Sequence, residues 1–94
     1  MLVYEWDETK RRENVKKHQI DFEDTPAVFD GMIVTMEDNR FDYDETRYNT
    51  LGLLKGQVVM IVHTERGERI RLISARKAIK KEQRYYYEQI TNKF

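Results

Sequence analysis

The sequence predicts an α+β domain in which a strand and two helices precede four consecutive strands and a closing helix. Three observations carry that reading. The stretch from Met32 to Ala75 is dominated by β-branched and apolar runs cut by glycine turns at Lys55-Gly56 and Arg66-Gly67, which is how successive antiparallel strands punctuate a chain. The segments Asp7 to Gln19 and Lys77 to Ile90 are rich in Lys, Arg, Glu and Gln and read as helices. Strands that follow one another without helical crossovers predict a small antiparallel sheet rather than a doubly wound one.

Leu2 to Trp6 alternates and predicts the first strand. Asp7 then stands where a helix N-cap belongs, with Glu8 in a first turn that favours acids. The helix runs to His18 or Gln19, and its apolar side is poor: Val15 is its only aliphatic residue, with Arg11 and His18 spaced around it, while Lys10, Asn14 and Lys17 form a polar stripe. Such a helix lies on the surface. A second, shorter helix through Ala27-Val28-Phe29 is capped by Asp21 or Asp24, and Pro26 fits its first turn if Asp24 is the cap. Asp30-Gly31 ends it.

Met32 to Met36 predicts a strand, and the acidic segment Glu37 to Glu45 an exposed loop. Arg47 to Leu54, Gln57 to Glu65 and Glu68 to Ala75 predict three more strands. With Arg66-Gly67 as a two-residue turn, His63 falls opposite Ile70. One sheet face then carries Val59, Ile61, His63, Glu65, Ile70, Leu72, Ser74 and Arg76, and Arg69 and Arg71 fall on the other. In the final helix Ile79, Tyr86 and Ile90 face inward, and Lys77, Lys80, Lys81 and Arg84 form one basic stripe. Tyr85, Tyr86 and Tyr87 cover most of a turn, so at least one is core and at least one exposed.

Ninety-four residues make one domain, spanning 1–94. Cysteine is absent, so a disulfide framework, a thiolate metal site and a cysteine nucleophile are excluded, and a reducing cytoplasmic setting is expected. The N-terminus has no basic region ahead of an apolar stretch, so no signal peptide is expected. No apolar run approaches the roughly 20 residues of a membrane span. Net charge is zero, from 17 basic and 17 acidic residues, which argues against a polycation that coats nucleic acid by charge alone. The charges are nonetheless segregated: acids crowd Glu37 to Glu45, whereas Arg66, Arg69, Arg71, Arg76, Lys77, Lys80, Lys81 and Arg84 oppose only Glu68 and Glu82 in the last third. A basic face on a neutral protein is therefore expected, with nucleic acid as the first partner to consider.

The run from His63 to Ala78 holds a histidine, two carboxylates and five basic side chains. Guanidinium forks on a rigid sheet suit phosphate, and His63, Glu65 or His18 can move protons. Each has a plainer reading. Glu65, Glu68 and the arginines can be solvated hairpin ends, His18 a helix cap favoured by the dipole, and His63 a half-buried strand histidine. Two distant histidines without cysteine suggest no zinc site, and the acidic loop lacks the glycine that a calcium loop requires. No metal and no cofactor is expected. Nucleophile-elbow, P-loop and dinucleotide patterns are missing.

Across its whole length the chain resembles the BrnT ribonuclease toxins of bacterial type II toxin-antitoxin systems. The resemblance rests on Tyr4-Glu5-Trp6-Asp7, on Asn14-Val15-Lys16-Lys17-His18 followed by Ile20-Asp21-Phe22-Glu23, and on Val28-Phe29-Asp30. Above all it rests on His63-Thr64-Glu65-Arg66-Gly67 leading to Ile70 through Ala78. Gln19 stands where the family usually has glycine, and Gly31 where proline is common.

The resemblance implies a RelE-like fold, RNA cleavage without metal, and an adjacent antitoxin of the BrnA type with a ribbon-helix-helix domain, through which alone operator DNA is bound. It also implies that a basic residue at the end of the last strand contacts the scissile phosphate, and Arg76 matches. Glu65, Arg66, Lys17, His18 and His63 are the further candidates for acid, base and cation, and Arg71, Lys77, Lys80, Lys81 and Arg84 for RNA binding. The leading expectation is an endoribonuclease that inhibits translation. Its rival is a catalytically inactive relative that acts as the antitoxin's corepressor.

Overall fold

The computed structural model describes residues 1–39 and 45–92. The elements are β1 (Val3–Glu5), α1 (Glu8–His18), a 3-10 turn (Phe22–Asp24), α2 (Thr25–Phe29), β2 (Val34–Asp38), β3 (Arg47–Leu54), β4 (Gln57–Arg66), β5 (Arg69–Lys77) and α3 (Lys80–Asn92). The five strands form one sheet in the order β1-β5-β4-β3-β2. The predicted element order is the observed one. The sheet is mixed rather than wholly antiparallel, however, because β1 pairs in parallel with β5, Val3 to Glu5 lying beside Arg69 to Arg71.

Local chemistry sets the boundaries. Asp7 caps α1, its carboxylate accepting the Lys10 N–H at 3.0 Å. Gln19 closes the helix at φ 58°, a left-handed position that glycine adopts with less strain. Asp21 caps the 3-10 turn by accepting the Glu23 N–H, whereas Asp24 makes no side-chain cap to α2. The turn between β3 and β4 puts both Lys55 and Gly56 at positive φ, as a tight hairpin requires. Gly52 brings α2 down onto β3: a Cβ there would sit 2.5 Å from a methyl of Val28.

Two cores sandwich the sheet. On one face Ile20, Phe22 and Val28 pack against Val59, Ile61, Ile70, Leu72 and Ala75. On the other, Tyr86 of α3 packs with Val34, Leu51, Val58 and Met60, and its hydroxyl donates to the Met32 carbonyl at 2.8 Å. Tyr85 and Tyr87 on either side are exposed.

Several boundaries differ from the sequence reading. β2 takes in Glu37 and Asp38, the latter buried opposite Arg47. Residues 40–44 of the predicted acidic loop lie outside the described residues. The last helix starts at Lys80 rather than Lys77, because the Ala78 N–H still donates to the Val58 carbonyl at the sheet margin. Ile79 consequently precedes the helix and is exposed rather than inward-facing. On α1 the buried residue is Asn14, and Val15 is exposed.

The hairpin turn falls at Gly67-Glu68, one residue later than expected, pairing Arg66 with Arg69, Glu65 with Ile70 and His63 with Leu72. Beyond that pair the register shifts: Val62 meets Ser74, so β5 advances two residues while β4 advances one. This bulge reverses the inside-outside alternation of β5. Ala75, not Ser74, joins the core with Leu72. Arg76, opposite Met60, now shares a face with Arg71 and Arg69, opposite Thr64 and Arg66. The predicted separation of Arg76 from those arginines is thereby corrected.

Candidate functional site

β1 covers only the first three residues of β5, so from Leu72 onward the outer margin of β5 has no neighbouring strand among the described residues. Helix α1 fills that place with one side chain. The Asn14 carboxamide accepts the Ala75 N–H at 3.1 Å and donates to the Ala75 carbonyl at 2.9 Å, satisfying both backbone groups as a strand would. It also donates to the Ile20 carbonyl at 2.9 Å. These bonds lock the end of α1 against β5, one residue from Arg76. The sequence marked Asn14 only by its place in an apparently polar stripe and in one of the runs that carry the family resemblance.

One turn further along α1, Lys17 and His18 face the same margin. With Lys10, Glu13, Asn14, Ile73 and Ser74 they line a cleft of about 270 Å³. Burial, then the positive charges of Lys17 and Arg76, hold the His18 imidazole below its ordinary value of 6.5. At neutral pH it is therefore largely uncharged and able to accept a proton. The helix C-terminus favours the neighbouring cations Lys16 and Lys17.

Arg76 is half-buried. Its guanidinium donates from both terminal nitrogens to Glu82, at 2.8 and 2.9 Å, and to the Lys77 carbonyl at 3.2 Å. Glu82 also accepts the Ile79 N–H at 2.9 Å, capping α3 from its third position. No Ser or Thr precedes it to signal a capping box, so sequence reasoning missed this carboxylate.

Arg66, Arg69 and Arg71 stand on the Arg76 face, farther down the hairpin. They line a second cleft, of about 260 Å³, with Glu5, Glu45 and Thr64. Arg69 pairs with Glu5 at 3.2 Å. No described residue forms an ion pair with Arg66 or Arg71. At about 3.3 Å of rise per residue, Arg71 lies roughly 15 Å along β5 from Arg76.

His63 and Glu65 are not brought to Arg76. The register sets both on the opposite sheet face. His63 is wholly enclosed, its Nε2 bonded to the Thr50 hydroxyl at 2.7 Å, which in turn meets Thr35 at 2.8 Å. Phe29 packs edge-on against its ring and Tyr48 stacks on it. Burial pulls its pKa down to about 4, against a smaller opposing effect of the Thr64 backbone. An imidazole so enclosed has no path to a polymer substrate. Glu65 is exposed, its carboxylate 3.6 Å from His63 Nδ1.

The predicted basic stripe divides. Lys77 ends β5, while Lys80, Gln83, Arg84, Tyr87 and Glu88 line a shallow groove on the outer side of α3. Lys81 is exposed. Among the described residues no three His, Cys, Asp or Glu side chains gather where they could hold a metal ion. No helix among them is long and apolar enough to cross a membrane.

No curated protein matches the chain. A family model described as "Ribonuclease toxin, BrnT, of type II toxin-antitoxin system" matches residues 6–82. That span runs from Trp6, just after β1, to Glu82 and contains Asn14, Lys17, His18 and Arg76. The match covers most of the chain, and the protein belongs to the BrnT family of ribonuclease toxins of type II toxin-antitoxin systems.

Proposed function

We propose that this toxin is a metal-independent endoribonuclease whose reacting phosphate lies between Arg76 and the end of α1. The observation that carries the proposal is that Lys17 and His18 share a cleft at the open margin of β5, with Arg76 near enough for its charge to act on the His18 imidazole. Cleavage without metal needs a base for the ribose 2′-hydroxyl, a proton for the leaving 5′-oxygen and positive charge around the phosphorane. His18 takes the 2′-proton. The resulting oxyanion attacks phosphorus, Arg76 and Lys17 stabilise the charge on the non-bridging oxygens, and the Lys17 ammonium gives a proton to the departing oxygen. The products are a 2′,3′-cyclic phosphate and a 5′-hydroxyl.

The bulge in β5 supports an extended substrate, because it aligns Arg71, Arg69 and Arg66 with Arg76 on one sheet face. Arg66 and Arg71 serve here as phosphate contacts, since Arg66 stands too far down the hairpin to act at the same phosphate as Arg76. Lys77, Lys80, Lys81 and Arg84 extend the cationic surface around α3, where Tyr87 is exposed for base stacking. His63 and Glu65 have no part in this chemistry. His63 instead ties β3 to β4.

Cutting RNA in this way inhibits translation. A BrnA-type ribbon-helix-helix antitoxin neutralises the toxin by covering part of the basic surface, and contact with operator DNA runs through that antitoxin. The test is cleavage of RNA by the purified chain in excess chelator, followed by analysis of the ends. Fragments carrying 2′,3′-cyclic phosphate support the proposal, and an absolute requirement for added magnesium refutes it.

A further inference from the structure

We infer that Glu82 is a positioning residue for the ribonuclease reaction, holding the Arg76 guanidinium in one orientation from the first turn of α3. The inference rests on the reading of Arg76 given above. Two bonds of 2.8 and 2.9 Å run from the two terminal nitrogens of Arg76 to the two carboxylate oxygens of Glu82. A bidentate pair fixes the plane of the guanidinium as well as its position, which a single bond or a bare charge does not. The Glu82 side chain is itself anchored, 19% exposed and accepting the Ile79 N–H at 2.9 Å. Arg76 is thus braced between its own strand and the start of α3, with the Lys77 carbonyl as a further contact at 3.2 Å.

The same pair has an electrostatic consequence. A carboxylate beside Arg76 offsets part of the attraction that a bare guanidinium would exert on any RNA phosphate. Glu82 therefore weakens ground-state binding at this position while fixing the geometry that the crowded transition state needs. Loss of its charge should lower kcat and, by strengthening ground-state binding, lower KM as well. A residue needed only for folding would change the active fraction and leave KM alone.

Glu82→Gln separates the roles, because glutamine at the third helical position still accepts the Ile79 N–H but carries no charge to pair with Arg76. Kinetics on a single-stranded RNA oligonucleotide should give a kcat lower by roughly tenfold or more, together with a reduced KM. The melting temperature should stay close to that of the unsubstituted chain. If Glu82→Gln does not fold, Glu82→Asp is measured in its place. It keeps the charge but is one methylene too short for the two-bond pair, and the same loss of kcat is expected.

Arg76→Ala and Arg76→Lys complete the set. In the Arg76→Lys background, where no fork remains to be oriented, Glu82→Gln should lower kcat by much less than it does alone. Additive effects on log kcat would overturn the inference, as would unchanged kcat in a folded Glu82→Gln chain when Arg76→Ala abolishes cleavage. Full cleavage by Arg76→Ala would instead overturn the reading of Arg76 on which the inference rests.

Discussion

Asn14→Ala should be the most damaging single truncation on α1, although the residue sits on a helix with almost no apolar face. The side chain is 6% exposed and makes three hydrogen bonds, to the Ala75 N–H, the Ala75 carbonyl and the Ile20 carbonyl. Truncation leaves one buried donor and two buried acceptors without partners. An orphaned buried polar group costs about 1–3 kcal/mol, and carbonyls with a second lone pair fall at the low end. Partial entry of water through the adjoining cleft reduces the sum, so a loss of about 2–4 kcal/mol is expected. For a domain of this size that corresponds to a fall in Tm of roughly 10–25 °C. Asn14→Asp should be worse at neutral pH, because a carboxylate cannot donate to the two carbonyls and would face both with negative charge. Circular dichroism melts of the two variants read this directly. A Tm within about 3 °C of the unsubstituted chain for Asn14→Ala would refute the claim that this carboxamide completes the margin of β5.

Four further outcomes follow from the proposed site. With His18 proposed as the base in its neutral form and its pKa held below 6.5, kcat/KM should stay flat down to that pH and fall only as His18 gains a proton below it. In Lys17→Gln the acidic limb should move to higher pH, since one of the cations that hold His18 down is gone; a limb that stays in place would remove Lys17 from the His18 environment. Arg66→Ala with Arg71→Ala should flatten the dependence of log RNA affinity on log salt by about 1.4, two phosphate contacts on a single strand, whereas an unchanged slope would take the hairpin end out of the RNA path. Lys80→Glu with Lys81→Glu should weaken RNA cutting and antitoxin binding together. Loss of cutting alone would place inhibition on another surface.

The sequence made some of this legible and hid the rest for physical reasons. Helix α1, both hairpins and α3 were visible because caps, turn glycines and composition act within a few residues of one another. The parallel pairing of β1 was not, since three residues joined to a strand more than sixty positions away leave no local signal. The bulge in β5 was hidden because strict alternation is the only rule a strand sequence offers, and one extra residue between Leu72 and Ser74 reverses it. Arg76 therefore joined Arg69 and Arg71 only in three dimensions. The burial of Asn14 in place of Val15 reflects what α1 covers. It lies on a strand margin with unpaired backbone groups, which an amide satisfies and an aliphatic side chain does not. His63 was named as a candidate by residue type, and its enclosure by Phe29, Tyr48 and Thr50 is a tertiary fact.

The account stands on Arg76 as the cation at the reacting phosphate, and single-turnover cleavage of RNA by the purified chain in excess chelator tests it most directly. Arg76→Ala should fold, bind RNA and cleave on the order of 10²-fold more slowly or worse, as expected for loss of one transition-state donor. Arg76→Lys should recover part of that loss, because it restores the charge but not the fork. Cleavage by Arg76→Ala at the unsubstituted rate, with the same products, would contradict the account.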